Sequence, residues 1–229
     1  MIIKVCGLRE AENIRAVSDL GVDWVGFIFW PDSPRYVSQI RSRAGIIPDY
    51  SSLERPDKPA EEQAVRPKRV GVFVDDMPQT IVTRVVNYDL DIVQLHGSES
   101  SIMIDNLRRT LDPDIHPGIK VMKALSISSV EDMLRYKDYA GSVDYFLFDT
   151  KSQHVGGSGM QFDWSILEAY DGDVPFLLSG GIGPDDAERI RQLRHPQFLG
   201  IDLNSRFETE PAVKDVEALR RFVSALRRE

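Results

Sequence analysis

Cysteine is almost missing from this chain. Cys6 is the only one in 229 residues, so no disulfide can close within it. Small secreted domains lean on such bridges, and a chain without them is expected in a reducing cytoplasm. Histidine is nearly as scarce: there are four, scattered, and no Cys/His cluster has the spacing of metal ligands. No metal is expected. Long apolar runs are lacking too; none approaches the ~20 residues that cross a bilayer, and Lys4 interrupts the N-terminus before a signal-peptide core could form. No membrane association is expected. Finally, there is no excess of positive charge. A net charge of −8 argues against nucleic acid as a partner, because surfaces that track phosphates are usually basic. It leaves room for a small anion, which needs only a local positive site.

What remains is an ordinary soluble composition, 42% hydrophobic, in a length that suits one compact domain over 1–229. That length is close to a βα barrel's. The stretch Pro175–Asp186, PFLLSGGIGPDD, organises the reading. Val174 to Leu178 is a short apolar run suited to a strand buried on both faces. Gly180, Gly181 and Gly183 follow, and then a helical pattern opens at Pro184. Glycines let backbone N–H groups approach a ligand, and a helix start favours an anion. A lone Gly-Gly more often only makes a tight turn. Here, however, the next strand pattern, Phe198 to Leu203, ends in Asp202 and runs into Asn204-Ser205. Paired strand ends of this kind are where many eight-fold βα barrels seat a phosphate.

The rest of the chain alternates in the same way. Apolar strand patterns cover Ile2–Cys6, Trp24–Phe29, Val70–Val74, Ile92–Leu95, Ile119–Ala124 and Val143–Phe148, ahead of the two already named. Helical patterns cover Glu10–Leu20, Ser38–Ile47 (the weakest), Gln79–Val86, Glu99–Leu111 and Ser129–Tyr136, the last with Ser128 as its expected N-cap. A further helix is expected from Phe162 to Tyr170, and Val213–Leu226 is expected to close the chain as one amphipathic helix. Pro48–Pro67 is polar and proline-rich, which predicts a mobile surface loop. Strands alternating with helices imply a parallel sheet with crossover helices. A doubly wound open sheet would show the same alternation. The count of eight and the paired phosphate-like ends favour a closed single (β/α)8 TIM barrel with its phosphate site after strands 7 and 8.

In such a barrel the loops after the strands build the active site. Strands 6 and 1 flank the expected phosphate and bring Asp149 and Cys6, an acid and a thiol suited to moving protons on a sugar. Taken singly, each has a plainer reading. A cysteine in an apolar strand is more often an inert core residue, and an aspartate at a strand end commonly forms a turn. His96 before Gly97 more often bonds a loop carbonyl, and Arg35 can be a solvated charge stacked on Tyr36. Their joint placement carries the argument.

Together the motifs resemble the phosphoribosylanthranilate isomerase family of tryptophan biosynthesis. The matching stretches are Lys4–Leu8, Gly26–Phe29 with Ser33–Val37, Val70–Val74, Val93–Gly97, Asp149-Thr150 with Gly156–Gly159 and Phe162–Trp164, and Ser179–Ile182 with Gly200–Asp202. The resemblance implies an Amadori rearrangement of N-(5′-phosphoribosyl)anthranilate, with neither cofactor nor metal. It implies Asp149 as the general acid on the furanose ring oxygen and Cys6 as the general base on the sugar's second carbon. Arg35 would grip the anthranilate carboxylate, and His96, Gly157, Gly180, Gly181, Asp202, Asn204 and Ser205 complete the expected substrate-binding set. Monomer and homodimer are both compatible with it. Lys4, two residues before Cys6 and on the same strand face, is expected to help hold the thiolate; the alternative is a lysine that fills the barrel beside an acid. One departure stands out: Ser205 is followed by Arg206 where the family commonly has glycine, so Arg206 either meets the phosphate or points to solvent. Three rivals remain at this level. They are the sister isomerase of histidine biosynthesis, the barrel lyase that closes the indole ring (for which Lys123 supplies part of the chemistry), and a non-catalytic anion-binding barrel.

Overall fold

The computed structural model describes residues 1–38, 66–150 and 164–227. The expected Ser38–Ile47 helix, apart from Ser38, lies outside the described residues. So do Gly157 with its glycine-rich loop, and Pro48–Pro67 apart from Arg66 and Pro67. The barrel strands are β1 (Ile2–Val5), β2 (Trp24–Ile28), β3 (Lys68–Phe73), β4 (Ile92–Leu95), β5 (Lys120–Ile127), β6 (Tyr145–Thr150), β7 (Phe176–Ser179) and β8 (Phe198–Leu203). They pair in chain order, all parallel, and β8 closes on β1 through Ile2 with Gly200 and Lys4 with Asp202. The closed barrel expected from the alternation is the observed fold.

Helices α1 (Ala11–Ser18), α2 (Pro78–Tyr88), α3 (Ser101–Leu111), α4 (Val130–Leu134), α5 (Ala187–Gln192) and α6 (Val216–Arg227) surround it. Their starts follow local chemistry. Pro78 opens α2, where a missing N–H costs nothing. The Ser100 hydroxyl accepts from Met103 N at 3.3 Å to cap α3. Ser129, rather than the expected Ser128, caps α4 in a reciprocal box with Asp132, while the Ser128 hydroxyl donates to the same carboxylate at 2.6 Å. The segment before β7 forms a 3-10 turn over Trp164–Ala169.

Two cores result. One fills the barrel with Trp24, Val70, Ile92, Met122, Ala124, Leu147 and Leu177; the other lies between sheet and helices. At the barrel's lower end a device recurs on alternate strands. Asp23, Asp91 and Asp144, each one residue before an even-numbered strand, accept a backbone N–H from the preceding odd one. The donors are Ile3 at 2.8 Å, Arg69 at 2.7 Å and Val121 at 2.9 Å. These bonds fix strand stagger at the end away from the site, where such contacts serve stability.

The expected closing helix divides in two. Val213–Lys214 (β10) pairs antiparallel with Glu208–Glu210 (β9), and α6 begins only after Asp215, whose carboxylate accepts from Ala218 N at 2.9 Å. An N-cap aspartate two residues inside the apolar periodicity sets the boundary.

Candidate active site

Strand ends at the upper rim surround a cavity of about 210 Å³ whose lining includes Cys6, Gln94, His96, Asp149, Gly180, Asp202 and Asn204. Strand order explains the grouping. Asp149 on β6 and Cys6 after β1 are separated by β7 and β8, whose following loops contribute Gly180–Ile182 and Asn204–Arg206 to the same cavity. Gly180 has φ +104°, and a Cβ there would lie 2.0 Å from the Thr150 carbonyl oxygen, so the turn against β6 admits only glycine. Ser205 and Arg206 are exposed at the cavity edge.

The thiol of Cys6 is buried and still borders the cavity. Room for it is made by Gly26 on β2: a Cβ there would meet Sγ at 2.8 Å. Burial pushes the Cys6 thiol up; the Lys4 ammonium pulls it down, Asp202 pushes it up again, and Lys214, like Lys4, pulls it down. Lys4 is wholly buried, yet Asp202 and Cys6 together outweigh its desolvation and keep it cationic.

Lys4 also begins a polar chain through the barrel. Its Nζ donates to Asp202 Oδ2 at 2.8 Å and to Gln94 Oε1 at 2.9 Å. With Oε1 so used, Gln94 presents its amide nitrogen to His96 Nδ1 at 3.4 Å. With Nδ1 accepting, the ring proton is assigned to Nε2, which lies 3.7 Å from Asp149 Oδ2. Thus β8, β1 and β6 each add one member, β4 and the turn after it add Gln94 and His96, and the two ends of the chain border the cavity. Asp202, expected to meet substrate, is held by Lys4 through Oδ2, while its buried Oδ1 has no hydrogen-bond partner among the described residues.

The turn that carries His96 is clamped from outside the barrel. Lys123 Nζ donates to the Gly97 carbonyl at 2.6 Å and to Glu99 Oε2 at 2.9 Å, and Glu99 in turn accepts from Gly97 N at 3.0 Å and Asp75 N at 2.9 Å. Glu99 was expected inside a helix. It lies instead before the Ser100 cap and turns inward to pair with Lys123.

Arg35 lies against Gly7, outside the lining of that cavity, with its guanidinium locked side-on to Glu208: Nε to Oε1 at 2.8 Å and Nη2 to Oε2 at 2.6 Å. Lys214 joins the same carboxylate at 2.7 Å and Asn204 Oδ1 at 2.7 Å. Sequence reading passed over Gln94, Glu208 and Lys214. Gln94 was findable, as the one polar residue in an otherwise apolar strand, two places before His96. Glu208 and Lys214 were not, because their pairing depends on the β9–β10 hairpin.

The arrangement separates two contributions to the thiol. We expect the double variant Lys4→Met/Asp202→Asn, which removes both charges so that neither is stranded, to move the ascending limb of kcat/KM to higher pH. The reason is that Lys4's pull exceeds Asp202's push on Cys6. A pH–rate profile with that limb unmoved would show that Lys4 only fills the barrel.

Comparison with known proteins bears on the whole chain. The family model described as N-(5′-phosphoribosyl)anthranilate (PRA) isomerase matches residues 3–225. A relative of that name from Parabacteroides distasonis is 44% identical over 231 residues, covering 99% of this chain and 93% of the relative. Another, from Phocaeicola vulgatus, is 42% identical and covers 100% and 99% of the two chains. Among solved structures, the phosphoribosyl anthranilate isomerase of Thermotoga maritima superposes with a TM-score of 0.72 at 30% identity, covering 99% of each chain. A crystal structure of such an isomerase in complex with reduced 1-(o-carboxyphenylamino)-1-deoxyribulose 5-phosphate gives a TM-score of 0.72 at 27% identity, again covering 99% of each chain. A match across nearly every residue, on the same closed barrel, settles the family: this chain belongs to the N-(5′-phosphoribosyl)anthranilate isomerases of tryptophan biosynthesis.

Proposed function

We propose that this chain carries out the family's Amadori rearrangement with Asp149 as general acid and Cys6 as general base. The observation that supports the division of labour is one cavity bordered by both groups, with the glycine turn after β7 and the Asn204–Arg206 turn after β8 between them. The substrate's phosphate sits on those two turns, where backbone N–H groups of Gly180, Gly181 and Ser205 receive it, and Arg206 at the edge adds positive charge. Its furanose ring spans from Asp149 to Cys6. Asp149 gives its proton to the ring oxygen, the C1–O bond breaks, and the anthranilate nitrogen's lone pair forms the iminium. The Cys6 thiolate removes the proton from C2. Those electrons neutralise the iminium as an enolamine, which tautomerises to the ketone. His96 beside Asp149 orients the acid and the substrate's hydroxyls. The anthranilate carboxylate lies at Arg35, where a guanidinium fork suits it.

The same reading places the protein in the cytoplasm, as monomer or homodimer, with no cofactor. Phosphoribosylanthranilate's fluorescence is the assay. Its loss on adding the protein, with formation of the carboxyphenylamino-deoxyribulose phosphate, is the expected result. Persistent fluorescence would return the choice to the histidine-pathway isomerase, the indole-forming lyase or a binding barrel.

A further inference from the structure

The group that faces the substrate's carboxylate is not free to turn. Arg35 is gripped along its Nε–Nη2 edge by Glu208, whose side chain is only 5% exposed. No described residue bonds Nη1. Glu208 is itself fixed from two more directions: Lys214 Nζ at 2.7 Å and Ala212 N at 3.2 Å, both on Oε1. Lys214 has a wholly buried side chain, and its backbone is clasped by Asn13 of α1 in both senses, N–H to Oδ1 at 2.8 Å and carbonyl to Nδ2 at 3.0 Å. The stem of Arg35 and the Asn204 side chain both lie against Gly7, where a Cβ would come within 2.6 Å of Arg35 Cδ and 2.8 Å of Asn204 Oδ1. Gly7 directly follows Cys6.

Two cations and one anion thus leave a single positive charge, presented at one edge of a planar group beside the thiol. A surface ion pair would be worth little and would hold no orientation; here the carboxylate end is only 5% exposed and is bonded by Arg35, Lys214 and Ala212 together. We propose that Glu208 and Lys214 are positioning residues that hold Arg35 edge-on, so that its remaining edge selects a phosphoribosyl amine bearing an aryl carboxylate over one without it. The inference rests on the isomerase reading above and extends it to two residues that contact no substrate.

The test compares two substrates, N-(5′-phosphoribosyl)anthranilate and N-(5′-phosphoribosyl)aniline, which lacks the carboxylate. Glu208→Gln is expected to raise KM for the first by about tenfold, the worth of one charge-assisted hydrogen bond. Its kcat should stay within about threefold, and KM for the second should be unchanged. Adding Glu208→Gln to Arg35→Ala should cost nothing more, since both changes remove one interaction. Equal losses on both substrates, full additivity, or an unchanged KM would each overturn the proposal. Should Glu208→Gln fail to fold with Lys214 left unpaired, Glu208→Gln/Lys214→Met removes both charges and is held to the same criteria. A wild-type protein that rearranges neither substrate would sink the isomerase reading instead, so the two failures are distinguishable.

Discussion

Replacing Asp149 by asparagine is expected to lower kcat by roughly a hundred- to ten-thousand-fold, the usual worth of a positioned general acid, with KM changed by less than about threefold. The substitution is nearly isosteric. It keeps an oxygen that can face the His96 Nε2 proton, 3.7 Å from Asp149 Oδ2 in the native site, and removes only the transferable proton. Magnitude decides between the readings. A lost neutral hydrogen bond is worth about 1 kcal/mol, or some fivefold in rate. A fall of a hundredfold or more therefore cannot come from orientation alone; it requires that a proton no longer reaches the ring oxygen. Steady-state kinetics by fluorescence loss give both parameters. Turnover within tenfold of wild type would take Asp149 out of the chemistry and leave the acid's role to another group, with His96 the nearest candidate.

How much of this was legible in the sequence follows from where each interaction's partners lie. Strands such as Phe176–Ser179 announce themselves because both faces are covered, so they read as unbroken apolar runs. Boundaries were harder. β5 continues to Ile127 through the exposed Ser126, which breaks the apolar run without breaking the ladder, and β6 carries on through Asp149 and Thr150. The cavity's members could be named because a barrel sends the ends of all its strands to one rim. Their partners could not. Lys123 finds Glu99 from 24 residues away, Arg35 finds Glu208 from 173 away and Lys4 finds Asp202 from 198 away. Pairing of the adjacent strands β4 and β5 makes the first contact, and closure of β8 on β1 makes the other two. Asp202 shows the consequence: a residue read as facing the ligand is also the counter-charge that lets Lys4 stay buried and ionised.

Cys6→Ala should produce a second loss of similar size, roughly a hundred- to ten-thousand-fold in kcat, and its pH dependence is the more telling part. In the proposed mechanism the base acts as a thiolate, and the two variants isolate its contribution to the pH–rate profile. Burial holds the Cys6 thiol above its ordinary range while Lys4 and Lys214 pull the other way. Activity that depends on its anion must therefore rise with pH until the thiol ionises. That rise should vanish in Cys6→Ala, whose residual rate should be low, and should persist in Asp149→Asn. The change deletes one sulfur that faces Gly26, where any Cβ would come within 2.8 Å of it, and adds no bulk, so the barrel should keep its fold and its affinity for the phosphate. A variant that retains the ascending limb, whatever its absolute rate, would mean that the base is some other group and that the buried thiol is packing.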